Sequence, residues 1–346
     1  MKEMTEALYA ITLIWGIVFI YAVMATIDFG AGFWSMIYLN KNNTKATSIA
    51  NRYLSPSWEV TNVFIVAIVV ALFSFFPGAT FTLGTVLLIP GSLIILLLAL
   101  RSAFLVFSHS ASENYKRILT IISGITGFLI PALLICVLPI TQGGFVEFVD
   151  GKEQLLLGEL FTSPSVYAFM AFAVSSTLFL SSLLLADYSN VAGDQEAYTI
   201  YRRDAIMVGP VSLVMAGLLV LTMRNEALWL YENLMNYVPW LIGSVATFLI
   251  GYVALWIPRK RGAGIPRLAM ISVVIQYLLA SYAYGSAHLP YIVYPEVTIE
   301  TGFTNPATFR ALIITYIVAF FILTPGFIYF WRLFLKDKRY LKQNES

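Results

Sequence analysis

Ile27-Asp28-Phe29-Gly30-Ala31-Gly32 and, thirty residues on, Ser57-Trp58-Glu59-Val60-Thr61-Asn62 decide how the rest of the chain is read. Asp28 lies inside an apolar run from about residue 8 to 39, long enough to cross a bilayer whose hydrocarbon core takes about 20 residues of helix. A carboxylate at the middle of such a helix costs at least about 2.5 kcal/mol on the mildest insertion scale. Glu59 opens the next apolar run, Val60 to Phe76. Two acids on consecutive membrane helices call for a reason, and chemistry offers two: an ion pair or the handling of protons.

The composition sets the class before any motif does. Of 346 residues, 59% are hydrophobic and 12% charged, and the mean hydropathy is +0.80. A soluble domain carries about 25% charged residues, so the sequence reads as an all-α polytopic membrane protein. The single cysteine, Cys136, lies in an apolar run, which excludes an intrachain disulfide or a cysteine cluster. The first apolar run is too long for a signal-peptide core and lacks a basic leader and a cleavage site, so it is read as the first span. There is no phosphate-binding loop and no Gly-rich dinucleotide fingerprint, and no soluble domain, fixed-period repeat or low-complexity tract is visible.

Nine apolar runs are expected to span, at about 8–39, 60–76, 82–108, 118–141, 165–186, 205–223, 237–257, 266–286 and 309–335, within one integral-membrane domain covering 1–346. Pro90 beside Gly91, Pro131, Pro210 and Pro325 fall inside these runs and are read as kinks, because neighbouring helices can satisfy the freed carbonyls. Residues 142–164 are long enough for a hairpin or a surface helix, and residues 225–236 read as an interfacial segment. Residues 287–308, with Pro290, Pro295 and Pro306, cannot be one helix. Trp34, Trp229, Trp240, Trp256, Tyr291 and Trp331 fall near run ends and read as an aromatic belt.

Lys and Arg fall in alternate loops. One side holds 16 of them: Lys41, Lys45 and Arg52; Lys116 and Arg117; Arg202 and Arg203; Arg259, Lys260, Arg261 and Arg267; and five in the C-terminal tail. The other side holds 4, namely Lys2, Lys152, Arg224 and Arg310, and Arg101 lies within a run. The positive-inside rule then puts the N-terminus outside and the C-terminus in the cytoplasm. On this topology Asp28, Glu59 and Arg101 all lie in the cytoplasmic half of the membrane.

An arginine beside two acids favours their charged forms, and burial in a dry setting favours the neutral ones. One reading is an Arg101–carboxylate pair that locks three helices together; the other is a proton-uptake route from the cytoplasm through Glu59 and Asp28. Gly30 and Gly32 would let a partner helix pack closely over the acid. Thr61 and Asn62 could hold a water that links the carboxylates, or could serve as ordinary packing contacts. The two histidines, His109 and His288, end up on opposite sides of a hydrocarbon core about 30 Å thick, too far apart to ligate one haem. No haem bound by this chain alone is expected, and no other metal.

Asp28-Phe29-Gly30-Ala31-Gly32, Trp58-Glu59 with Asn62 and Val63, and Arg101 together resemble subunit II of the cytochrome bd-type quinol oxidases, in its shorter Gram-positive-like branch. In that family the first helix typically reads Asp-Gly-Phe-Asp-x-Gly-x-Gly and the second begins His-Trp-Asp-Gly. Asp28 matches the second acid, Ala25 stands where the first acid usually is, Glu59 replaces the Asp, and Ser57 replaces the His. The resemblance implies nine transmembrane helices arranged as two four-helix bundles plus one additional helix. It implies a partner, subunit I, that holds two b-type haems, one d-type haem and the main quinol site. It also implies a complex in the bacterial cell membrane that oxidises quinol and reduces dioxygen to water with cytoplasmic protons. A small single-helix accessory subunit and the lipid bilayer are the other partners expected, and no nucleic acid. Asp28 and Glu59 are then the candidate proton-transfer residues, with no catalytic redox centre in this chain. Trp58, Thr61, Asn62 and Arg101 support them, and Gly30 and Gly32 serve packing.

Two other functions compete: a proton- or cation-coupled secondary transporter, and a purely structural membrane subunit. Against the transporter, nine spans do not divide into two equal repeats, and paired broken helices are not evident. Reporter fusions in the loops near residues 45 and 262 are expected to read cytoplasmic, and those near 150 and 298 external. A cytoplasmic signal from the 150 loop would remove the common depth assigned to Asp28 and Glu59.

Overall fold

A single helix, α1, runs from Lys2 to Tyr38 in the computed structural model, which describes residues 2–39, 45–108, 112–149, 152–259 and 262–332. His109, Lys41, Lys260, Arg261 and the basic tail beyond Arg332 lie outside the described residues. After α1 come α2 (Ala46–Phe75), α3 (Pro77–Val86), α4 (Leu88–Ser108), α5 (Glu113–Ile135) and α6 (Val137–Thr141). A hairpin of β1 (Val146–Val149) and β2 (Lys152–Leu155) and the short α7 (Leu157–Thr162) follow. The long α8 (Pro164–Ala192) and α9 (Gln195–Glu226) precede α10 (Leu228–Met235) and α11 (Val238–Ala254). The chain closes with the β3–β4 hairpin (Pro258–Arg259, Gly262–Ala263), α12 (Pro266–His288), the β5–β6 pair (Tyr291–Val293, Val297–Thr298) and α13 (Pro306–Trp331).

Among the described residues, seven helices are long and apolar enough to cross a bilayer. An eighth crossing results if α10 and α11, which meet at a bend of 77°, count as one span. The difference from the nine expected runs lies in α2. Its apolar part, Val60–Phe75, rises about 24 Å, short of a core about 30 Å thick. Its first turns, which carry the polar residues of the α1–α2 connection, are helical too, so the segment read as a loop is mostly helix.

Local chemistry explains where the helices stop. Gly193, at φ +81°, caps α8 in the left-handed region that suits glycine, and the Asp194 side chain then accepts from the Ala197 N–H to open α9. These caps carry both helices well past the apolar runs 165–186 and 205–223. Ser163 and Asn305 cap α8 and α13 in the same way. Pro131, Pro210 and Pro325 lie inside helices. Pro90 does not kink a helix: the run breaks at Leu87, and Pro90 falls in the first turn of α4, where its missing N–H costs nothing. Residues 142–164 form both a hairpin and a short helix, and 225–236 hold α10.

Two groups of helices pack side by side. In one, α1 lies against α2 and α5, with α4 on α5; in the other, α8 packs along α9 and α12, and α12 on α11. The groups meet mainly where α1 touches α8. There Trp34 is buried, with its indole N–H 3.1 Å from Ser181 Oγ, so it belongs to the core and not to an interfacial belt. Trp240 and Trp256, by contrast, are exposed. Trp229 stacks on Tyr294 at 4.4 Å and donates to the Gln142 carbonyl.

Close approach of α5 to α1 depends on Gly124 and Gly127. A Cβ on Gly127 would run into the backbone carbonyl of Phe29, and one on Gly124 would meet the Met36 side chain. The Phe29 carbonyl and the Met36 Cβ would lie equally close to the added atom, and both are fixed to the α1 backbone, so neither can step aside. Gly127→Ala and Gly124→Ala are therefore each expected to lower the melting temperature of the purified protein by several degrees; wild-type melting temperatures for both variants would refute this account of the α1–α5 contact.

Candidate functional site

Asp28 is carried by α1, Arg101 by α4 and Ser123 by α5, and the three meet at a point buried from every side. Asp28 and Arg101 are 3% and 2% exposed. The guanidinium is held mainly by uncharged oxygens. Nη1 donates to the Ser123 carbonyl at 2.6 Å and to Ser123 Oγ at 3.0 Å, and Nη2 donates to the backbone carbonyl of Asp28 at 3.0 Å. The ring of Phe29 lies 5.3 Å from its central carbon. The Asp28 carboxylate is 3.6 Å from Nη2, which is an ion pair but too long for a hydrogen bond.

The two glycines after Asp28 serve two different neighbours. A Cβ on Gly32 would sit 2.8 Å from Arg101 Nη1 and 3.1 Å from the Ser123 carbonyl, so this glycine makes the space that the guanidinium fills. Gly30 faces Ser181 and the Thr177 carbonyl on α8. One residue of the motif thus admits a charge, and the other admits a helix.

Beside the carboxylate lies a small, narrow cleft, lined among others by Trp58, Asn62, Leu98, Arg101 and Ser102. Trp58 and Asn62 both come from α2, at i and i+4, one above the other on a single helix face. Thr61 is buried on the same helix but is not part of the cleft wall. Glu59 follows Trp58 on α2, and its side chain lies outside the described residues. The structure therefore brings Asp28, Trp58, Asn62 and Arg101 together, with Gly32 beneath the arginine.

Sequence reasoning did not find Ser123, Ser102, Phe29 or Gly127 as parts of this site. A signal was there: Ser123, Gly124, Thr126 and Gly127 are small residues grouped within an apolar helix, the kind that lets backbones approach. Among the described residues, no three or more His, Cys, Asp or Glu side chains gather to hold a metal ion.

The chain matches the family model described as Cytochrome bd terminal oxidase subunit II over residues 6–334. It is 64% identical over 348 residues to the "Putative cytochrome bd menaquinol oxidase subunit II" of Bacillus subtilis (strain 168), with 100% of each chain covered. It is also similar to a chain in the structure of bd oxidase from Geobacillus thermodenitrificans, at 37% identity and a TM-score of 0.81, over 96% of this chain and 100% of that one. The agreement runs through nearly the whole sequence and backbone alike, and the chain belongs to the cytochrome bd terminal oxidase subunit II family.

Proposed function

We propose that this chain is the haem-free subunit II of a cytochrome bd-type oxidase, scaffolding a haem-bearing subunit I and giving protons a way in from the cytoplasm. The complex would oxidise quinol, menaquinol by the name of the Bacillus relative, and reduce dioxygen to water. The observation that carries the proton route is the placement of Asp28. Its carboxylate is buried beside a cleft that Trp58 and Asn62 reach, while the directional bonds of Arg101 go to backbone oxygens and Ser123. An arginine so held keeps its place through a change in the charge of the carboxylate.

Glu59, at the α2 end of this cleft by sequence, would take protons from the cytoplasm, and Asp28 would pass them inward. The cleft has room for at most about one water, with Asn62, Ser102 and the carboxylate as its polar walls. Counting the bent pair α10 and α11 and the apolar part of α2 as crossings brings the seven long helices to nine. The first group would then be α1, α2, α4 and α5, the second α8, α9, α11 and α12, with α13 alone. With the N-terminus outside, the site lies in the cytoplasmic half of the bacterial cell membrane.

The haem-free reading is supported by the surroundings of His288, the one histidine among the described residues. It is 9% exposed, with the rings of Trp229 and Tyr284 at 5.5 and 5.7 Å, which leaves no room for a macrocycle against it. Haem chemistry therefore enters no step assigned to this chain. Replacing His109 and His288 together with Ala is expected to leave every haem band of the purified complex in place, and loss of one band would overturn the reading.

The proton route is tested by oxygen consumption per haem. Asp28→Asn and Glu59→Gln keep size and hydrogen bonding but cannot take up and release a proton; each is expected to slow quinol oxidation with the haem spectrum intact. Asp28→Glu should retain more activity than Asp28→Asn. Arg101→Ala should lower assembly as well as rate, since breaking a buried pair costs about 3–5 kcal/mol. Wild-type turnover by both amide variants would make the carboxylates packing features.

A further inference from the structure

A second buried carboxylate, Asp204, lies in the first turns of α9 and is 5% exposed. Tyr38, the last residue of α1, donates its hydroxyl to Asp204 Oδ2 at 2.5 Å and accepts from Arg203 Nη2 at 2.9 Å. Arg203 also pairs with Asp204 Oδ1 at 3.0 Å, so a tyrosine, a carboxylate and a guanidinium close a ring of contacts. One turn back on α9, the fully buried Tyr201 donates to the carbonyl of Ala46, the first residue of α2, at 2.6 Å. Its ring stands edge-on to Tyr38, and Tyr38 stacks on Trp34. Ser35 to Asn51, at 2.6 Å, and Thr47 to the Ser35 carbonyl, at 3.2 Å, then tie α2 back along α1.

We propose that Tyr38, Asp204 and Tyr201 form a latch that fixes the axial register of α2 against α1, and so position Trp58 and Asn62 in the cleft beside Asp28. The proposal rests on the proton-uptake reading for its consequence, but not for its geometry. Aliphatic helix faces in lipid slide past one another at little cost, because the lipid is as apolar as the neighbouring helix. A buried polar group has one satisfied position, and specifying register is its best-attested use. Asp204 offers one oxygen to α1 and the other to its own neighbour, while Tyr201 reaches across to α2.

One helix runs from Ala46 past Asn62, a rise of about 24 Å. A continuous helix transmits axial slip, so a shift at Ala46 arrives at Trp58 and Asn62 nearly undiminished. None of Tyr38, Asp204 and Tyr201 lines the cleft; they are positioning residues.

The test combines amide hydrogen exchange with steady-state kinetics on the purified complex. Tyr38→Phe and Tyr201→Phe each remove one hydroxyl and keep the ring packing. Each is expected to speed exchange across residues 46–51 by up to about tenfold, as the loss of one buried hydrogen bond allows. Each should also lower kcat several-fold with the KM for quinol and the haem content unchanged. Asp204→Leu should behave likewise, and Asp204→Asn, which still accepts from Tyr38, should recover most of the rate. Unchanged exchange in the two phenylalanine variants overturns the latch. Faster exchange with wild-type kcat overturns its positioning role. If Asp28→Asn turns over at full rate, the uptake reading fails by itself, and the exchange result still decides the latch.

Discussion

Arg101 places a permanent positive charge inside a membrane helix, at a cost of about 2.5–3.5 kcal/mol even on the mildest insertion scale. That cost is offset only if oxygens surround the guanidinium, and those oxygens come from two other helices: Asp28 on α1 and Ser123 on α5. The charge thus dictates the spacing of α1, α4 and α5. Gly32 and Gly127 follow from it, since a side chain at Gly32 would take the place of the guanidinium and one at Gly127 would push α5 off α1. Gly30 extends the same constraint to α8 through Ser181.

Why the charge is retained follows from how it is held. An aliphatic side chain at this position would pack three helices at least as well, as replacements of buried ion pairs by apolar groups often do. The guanidinium instead stands beside a carboxylate without a direct hydrogen bond to it, next to a cleft with polar walls. That arrangement sets the positive charge beside the acid while the arginine's own directional bonds tie it to the scaffold. On the proposed proton route, a counter-charge fixed to the scaffold would suit a site that cycles between two protonation states.

Polar contacts join helices elsewhere in the molecule too. Trp34 to Ser181, Tyr277 to the Ser176 carbonyl and Ser244 to the Gln276 carbonyl all link helices whose facing surfaces are otherwise apolar. Each contact couples a donor to an oxygen that a helix in lipid could not otherwise satisfy beyond its own turn. Surface pairs such as Arg267 with Asp187 and Arg310 with Glu6 join helix ends, where water screens them and their contribution is small.

The sequence by itself determined the class, the positions of most spans and the family. Apolar runs long enough for a bilayer are a one-dimensional property, and so is the motif from Ile27 to Gly32. It also pointed to Asp28, Glu59 and Arg101, because a charge in an apolar run stands out without any knowledge of neighbours. Helix ends were less legible: caps such as Asp194 and Ser163 extend helices beyond the apolar run, and hydrophobicity does not register them. Asp204 was hidden for the same reason, since one residue before an apolar run reads as a loop acid. Only the tertiary structure decided that Trp34 is core, that Gly32 serves the arginine and Gly30 the helix α8, and that Tyr38 reaches Asp204 across 166 residues. Those outcomes depend on which helix faces meet, and in lipid the facing is chosen by close packing and buried polar partners that lie far apart in the chain.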